Sequence, residues 1–496
     1  MNDEAIAEGP MRPRFLADVA ALRDALQRAG FTQVAVEEIL DRRNERMVDM
    51  ALVMRRTAVP MAFHTLVRLF ILRAVCDVGT VREAVAPVAV EELIAAGLCE
   101  HDGDGLRATA RLTPWRHLLL LSDFLPPEGE ALPPGFVMSG TSASSASLVS
   151  LTPRRRIGSV LDIGTGCGIH ALLAAAHAER VIATDANPRA LNFAAMNAYL
   201  NGIDNISFAS GSFFEPVKGR TFDLIVCNPP FVIAPPSDLL YQSAGLLGDA
   251  VSDLVVREVP EHLNEGGSAV VLVSWHYGRE KDWPERPRVW AAGRGCDFLL
   301  LRTTDDSPLD YAANALRQTE QIGTSQYARM LDQWLAYYSG QGMERFAVGA
   351  AVLHRRRAQE NWVRADIVRE RLRDGAGEQI ERIFASEDSL AVAKPEEMLE
   401  WRLKVAPDHV IEQQSVPSPD GWDSRSLFIR AERGLEYRAA IDARVMAFLA
   451  HCDGRTTVRE SIEAMARSFD LDLPTAVERG LPIVRGLLRK GMLIAV

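Results

Sequence analysis

From about residue 157 the chain settles into an alternation that few architectures tolerate. "GSVLDIG" is a short apolar run, "GIHALLAAAHA" has helical spacing, "RVIATD" is extended again, and "NPRALNFAAMNAYLNG" is a second helix closed by Gly202. "ISFASG" and "FDLIVC" follow as strands, then the helix "AVSDLVVREVPEHLNEGG" and the strand "SAVVLVSW". Strand and helix repeated with short links call for an open, mainly parallel sheet covered by helices on both faces. "CDFLLLRTT" and "RFAVGAAVLHRR" read as two further strands, separated by a helical insertion near 305–343 that carries "SQYARMLDQWLAYYSGQG".

Two corners of this pattern carry chemistry. "LDIGTGCGIHA" sets Gly164, Gly166 and Gly168 on the turn between the first strand and its helix, where glycine permits positive φ and close approach of a ligand. The next strand ends on Asp185, 23 residues past Asp162, in the range for an acid that grips ribose hydroxyls. Two ligands satisfy such a turn, a dinucleotide or S-adenosylmethionine. The spacing here is GxGxG, and Asp162 precedes the glycines by two positions. An acid there suits a cationic ligand better than the pyrophosphate that a helix N-terminus attracts.

The second corner is "VCNPPFV", Val226 to Val232. With it, the stretch from about Gly158 to Trp275 resembles the class I S-adenosylmethionine-dependent methyltransferases. More narrowly it is similar to their small-domain branch, which carries an Asn-Pro-Pro-aromatic motif. That branch includes N-methyltransferases of release-factor glutamine and of exocyclic amines in ribosomal RNA and DNA. The resemblance implies a Rossmann-like seven-stranded α/β domain with S-adenosyl-L-methionine as cofactor. It assigns Asp162 to the methionine amino group, Gly164, Thr165, Gly166 and Gly168 to the methionine and ribose, and Asp185 to the ribose hydroxyls. Ala186, Asn187, Ser212 and Phe213 would flank the adenine. Asn187 serves equally well as a helix cap before Pro188, and Ser212 stands where many relatives have an acid. The motif Asn228, Pro229, Pro230 and Phe231 would be the catalytic corner. The Asn228 side-chain oxygen and the Pro229 carbonyl would accept both hydrogens of a planar NH2, and Phe231 would stack on its plane. Proline fixes φ and brings no N–H of its own beside that carbonyl. Tyr241 and Asp249 are candidates to face the acceptor, although Asp249 is also a candidate helix cap. His170 and His276 are assigned no catalytic role.

The flanks bear on the acceptor. Residues 1–135 read as mainly helical, with a helix and a hairpin around His101 to Gly105 that resembles a winged helix. The Pro-, Gly- and Ser-rich "LPPEGEALPPGFVMSGTSASSASL" reads as a linker or active-site lid. The methyltransferase domain is placed at 136–357, and 358–496 reads as an α+β domain, winged-helix-like at its end. The net charge is −11. Divided at Ser150 and Arg357, the chain carries 15 basic against 20 acidic residues, then 20 against 22, then 20 against 24. None of these is the basic body of a non-specific nucleic-acid binder. The six cysteines form no CxxC pair and read as buried thiols in a reducing cytoplasm, without a metal site. No stretch reaches the ~18 apolar residues that span a bilayer, and the start lacks the pattern of a signal peptide. Three functions remain open: an enzyme methylating a nucleic acid or protein, a small-molecule N-methyltransferase, and a non-catalytic scaffold. The complete motif set disfavours the scaffold.

Overall fold

The strands of the central sheet are the short apolar runs of the alternating segment. The computed structural model describes residues 9–12, 16–41, 49–126, 132–133, 135–236, 247–317, 320, 322–358, 360–368 and 372–496. Its sheet comprises β1 (Ile157–Ile163), β2 (Ala178–Asp185), β3 (Ile206–Ser210), β4 (Phe222–Cys227), β5 (Leu263–Tyr277), β6 (Cys296–Asp306), β7 (Arg345–Arg355) and β8 (Val363–Ile367). The order across the sheet is β8-β6-β7-β5-β4-β1-β2-β3. Strands β3, β2, β1, β4 and β5 run parallel, whereas β7 lies antiparallel to β5, with Val273 opposite Gly349. Seven strands make the α/β sheet that the alternation implies, and β8 adds an eighth at its edge.

This order fixes where a ligand can sit. The chain leaves β1 toward β2 and β3, then returns to place β4 on the other side of β1. The carboxyl ends of β1 and β4, where Ile163 pairs with Cys227, therefore flank the switch point at which open α/β sheets bind ligands. The GxGxG turn follows one of these ends, and the Asn-Pro-Pro-Phe corner follows the other.

Helices α1 (Ile169–Ala175) and α2 (Pro188–Leu200) follow β1 and β2. Asn187 caps α2 by accepting the Arg189 N–H at 3.1 Å, with proline in the first turn. Helix α3 (Ala250–Glu258) leads into β5, and the pair α4 (Pro308–Leu316) and α5 (Ser325–Gly340) is inserted between β6 and β7. Ser307 and Thr324 cap that pair, accepting from Asp310 and Tyr327 N–H groups.

The N-terminal flank packs on α2 through an unusual device. Asn192, Asn197 and Asn201 turn one side of the helix toward it. Asn192 exchanges two hydrogen bonds with the Met11 backbone at 2.9 and 3.0 Å. Asn197 does the same with Leu121 at 2.7 and 3.0 Å, and Asn201 with Leu119. A side-chain amide holds both a donor and an acceptor, so it can pair with a strand-edge peptide as another strand would. The flank contains the helices Val78–Val85 and Val90–Ala95 and the strands Cys76–Asp77, Cys99–Asp102 and Gly105–Ala108, the last lying between the other two. A second hairpin pairs Arg111–Trp115 with Leu118–Ser122.

Two compact units divide the chain. One comprises 1–146, 156–300 and 305–365, the other 147–155, 301–304 and 366–496. In the second, the strands Asp453–Thr457, Arg402–Val405 and Leu493–Ala495 form one sheet, and a hairpin of His409–Ser418 with Gly421–Ala431 extends to Arg438–Ile441. Buried Gln379 ties this unit together, donating to the Lys490 carbonyl and accepting from the Leu435 N–H.

Candidate active site

A cavity of about 390 Å³ opens at the switch point. Its walls include Gly164, Thr165, Gly166, Asp185, Ala186, Asn187, Ser212, Phe213 and all four residues of the corner, Asn228, Pro229, Pro230 and Phe231. Most of the residues picked out in the sequence therefore share one chamber. Gly164 (φ +67°) and Gly166 (φ +56°) turn through the left-handed region that favours glycine. A Cβ on Gly166 would meet no protein atom within 4 Å, and one on Gly164 would lie 4.0 Å from the Asn228 carbonyl oxygen. The two corners thus face each other across bare backbone.

Two of the residues picked out at the turn work from beneath. Asp162 is fully buried below it. One carboxylate oxygen accepts the Thr165 hydroxyl at 2.6 Å and the Ala171 N–H at 3.0 Å; the other is buried with no hydrogen-bond partner among the described residues. Burial pushes this carboxyl up to about 7, against the pull of those two donors. Gly168 does not line the cavity either. At φ +90° it opens α1, and a Cβ there would come 3.0 Å from the Ala194 Cβ of α2. Its bareness lets two helices approach.

Asp185 stands on the wall itself. The Gly166 and Asn187 N–H groups each donate to one of its oxygens at 2.9 Å, and burial raises its pKa against them. Each carboxylate oxygen keeps a free acceptor site, which suits a pair of ribose hydroxyls. Asn187 caps α2 and lines the cavity while donating to the Gly135 carbonyl at 2.9 Å. That bond ties Gly135 to the chamber, where Phe136, Met138 and Ser139 join the wall. The Pro-, Gly- and Ser-rich stretch is therefore part of the site.

The corner differs in one detail from the sequence expectation. Proline brings no N–H of its own, but the Phe231 N–H turns back onto the Pro229 carbonyl at 2.7 Å. A carbonyl oxygen has two acceptor sites, so this tight turn aims the carbonyl and leaves its second site for a ligand. Asp249 lies off the wall. It is buried, and the Arg286 guanidinium grips its carboxylate, with one bond of 2.7 Å. Tyr241 lies outside the described residues. The sequence offers the insertion near Tyr327 to Tyr338 as a part that would close over a small-molecule acceptor; α4 and α5 do contribute to the wall, through Ala315 and Trp334, which the sequence does not single out. Trp334 and Tyr338 stand one helical turn apart in "QWLAYY", and that spacing was the available signal.

The ligand choice can be decided on charge. Among the described residues lining the chamber there is no Lys or Arg, and Asp185 is its carboxylate. A pyrophosphate would meet the Asp185 carboxylate with no lysine or arginine to offset it, whereas that carboxylate favours a ligand carrying an ammonium and a sulfonium. The bare glycine backbone and the free acceptor sites of Asp185 fit that cofactor. No cluster of metal-binding side chains occurs among the described residues, and all six cysteines are buried free thiols.

Comparison with known proteins agrees. Residues 132–282 match the family model described as methyltransferase small domain. Two further models, both described as domains of unknown function, match 28–109 and 381–495. The chain is 36% identical over 134 residues to a release factor glutamine methyltransferase of Xylella fastidiosa, covering 24% of this chain and 48% of that protein. It is 34% identical over 122 residues to a putative protein N5-glutamine methyltransferase of Methanocaldococcus jannaschii, covering 23% and 61%. It is 35% identical over 147 residues to a ribosomal protein uL3 glutamine methyltransferase of Bradyrhizobium diazoefficiens, covering 26% and 46%. The chain thus spans about half the length of the curated relatives it matches. Fold, corner and family match together define a class I methyltransferase domain with S-adenosylmethionine as its cofactor.

Proposed function

We propose that the protein is an S-adenosylmethionine-dependent N-methyltransferase whose acceptor is the side-chain amide of a protein glutamine. When bound, the cofactor supplies an electrophilic methyl group. The chain's own residues have to prepare the nitrogen. An amide nitrogen is a poor nucleophile because its lone pair is shared with the carbonyl. Accepting both N–H hydrogens, at Asn228 Oδ1 and the second acceptor site of the Pro229 oxygen, returns density to the nitrogen and holds it in place. Positioning of this kind supplies roughly 7–11 kcal/mol. Phe231 packs against the flat amide, and the nitrogen sheds one proton after attack, so no strong base is required.

The observation that carries this reading is the meeting of the glycine turn and the Asn228 corner in one chamber. The names of the relatives add support for a protein acceptor. We read the flank 1–135 as a winged-helix-like recognition domain, 136–357 as the catalytic domain and 358–496 as a further docking domain, in a cytoplasmic protein.

The test is label transfer. The protein is incubated with methyl-labelled cofactor and, separately, a bacterial release factor, ribosomal proteins, ribosomal RNA, DNA and a small-molecule extract. Label in a protein, recovered as N5-methylglutamine by mass spectrometry, is expected. Label confined to nucleic acid or small molecules would overturn the glutamine assignment.

A further inference from the structure

The corner that binds the acceptor lies in the family segment, but most of what holds it from behind does not. Immediately after Phe231 the chain runs through Val232 and Ile233 into a buried pocket of aromatic side chains from α4, α5 and β7. Tyr311, Trp334, Tyr338 and Phe346 pack there around Ile233. Tyr311 stacks on Phe346 with ring centroids 4.5 Å apart, and Trp334 meets Tyr338 edge-on at 6.3 Å.

Three hydroxyls in this apolar setting are spent on the backbone of the corner. The Ile233 N–H donates to the Tyr311 oxygen at 3.0 Å, and the Tyr338 hydroxyl donates to the Ile233 carbonyl at 2.7 Å. Tyr311 donates onward to Ser274 at 3.4 Å, and Ser274 donates to the Phe231 carbonyl. Every proton in this chain has one direction, so the peptide from Phe231 to Ile233 is gripped at three points. Buried hydroxyls need partners, yet these take the peptide beside the corner instead of one another alone. On the same face of each helix, one turn from Tyr338 and Tyr311, Trp334 and Ala315 reach the chamber wall. One element thus supports the corner and also bounds the space in front of it.

We infer that the inserted helix pair α4–α5 is the acceptor-positioning element of the site, with Tyr311 and Tyr338 as positioning residues for the corner and Trp334 as the side chain that sets which acceptor fits. The assignment to an acceptor rests on the methyltransferase reading above; it does not require the acceptor to be glutamine. Residues 308–340 lie beyond the matched segment 132–282. The corner lies within that matched segment and the helix pair lies outside it.

The test uses the full chain and two measurements. Calorimetry gives the affinity for S-adenosylhomocysteine, and the label-transfer assay gives kcat and KM for whichever acceptor takes methyl. Tyr338→Phe and Tyr311→Phe should lower kcat by on the order of 10- to 100-fold, as a corner displaced by a fraction of an ångström implies, with cofactor affinity changed less than about twofold. Trp334→Ala should raise the acceptor KM at least ~10-fold, and Trp334→Phe should restore most of it. Parallel loss of cofactor affinity and turnover in all variants, or unchanged kcat and KM, would overturn the inference. Methylation of a nucleobase or small molecule would defeat the glutamine reading, and the same variants then decide this one on that acceptor. Should nothing take label, 5-fluorotryptophan protein provides the readout, its Trp334 line assigned by loss in Trp334→Phe. Sinefungin carries an amine where the cofactor carries its methyl, so that line should shift between the sinefungin and S-adenosylhomocysteine complexes. An unmoved line removes Trp334 from the acceptor side.

Discussion

Asn228 and Asp185 divide two tasks that one chamber has to perform together. Asp185 has both oxygens fixed by the Gly166 and Asn187 amides and faces the cofactor side; Asn228 stands half-buried on the corner. Replacing Asp185 with Ala should weaken S-adenosylhomocysteine binding by on the order of 10- to 100-fold in calorimetry, the worth of a charged hydrogen bond pair. Asn228→Ala should instead lower kcat by roughly 100- to 1,000-fold, as loss of a preorganised polar group does, with cofactor affinity nearly unchanged. Identical effects from both would collapse the division. Asp162 has a different consequence, in stability. Its folded carboxyl titrates at about 7 because burial outweighs the Thr165 and Ala171 bonds, while in the unfolded chain it titrates near ~4. Between these values the folded state keeps a proton that the unfolded state releases, so this group's contribution falls as pH rises from 4 through 7. Asp162→Asn carries no such proton. Urea denaturation should therefore show the wild type losing stability relative to Asp162→Asn between pH 5 and pH 8, by on the order of a few kcal/mol. Equal pH dependence in the two would mean the carboxylate is ionised throughout.

Helix α2 shows why some of the structure was legible and some was not. Its existence and limits follow from local chemistry: Asn187 and Pro188 open it, Gly202 ends it, and its apolar residues recur at helical spacing. The same logic made β1 to β7, the glycine turn and the corner readable, because each is a short pattern set by its own residues. Asn192, Asn197 and Asn201 carry no such local signature. Their amides matter only once the Met11 segment and the strand Leu118–Ser122 lie beside them, which is a fact of three dimensions. Trp334 was not singled out for the same reason: the aromatic insertion suggests closure over a ligand, but nothing local says which of its side chains reaches the chamber. Asn197 can be tested as the element's most connected residue. It is fully buried, exchanges two bonds with Leu121 and donates to the Cys167 carbonyl in the glycine turn. Asn197→Leu keeps the volume and strands these backbone groups at about 1–3 kcal/mol each. Thermal unfolding should drop by several degrees, and cofactor affinity should fall with it because the turn loses a support. A stable variant that binds cofactor normally would show that the amide is incidental.

At the scale of the whole molecule, charge and architecture address the acceptor together. The sheet and its chamber are common to enzymes that methylate proteins, nucleic acids and small molecules, so the fold alone does not choose. Electrostatics discriminates better. A protein neutralising 6–10 phosphates loses ~10³- to 10⁵-fold in affinity between 50 and 200 mM salt, and it does so with a concentrated basic surface. This chain is net −11, with 66 acidic against 55 basic residues. In the runs Arg154–Arg156 and Arg355–Arg357, three of the side chains are engaged within the fold. Arg155 pairs with Glu381 at 2.8 Å, Arg355 donates to the Pro260 and Arg294 carbonyls, and Arg356 grips fully buried Asp297. Arginines spent in this way release no counterions from a nucleic acid. The KM for the acceptor should accordingly change less than about threefold across 50 to 200 mM salt, measured by label transfer at saturating cofactor. A steep rise in KM over that range, with cofactor affinity constant, would require a phosphate track on a surface that the paired arginines do not supply, and would move the acceptor from protein to nucleic acid.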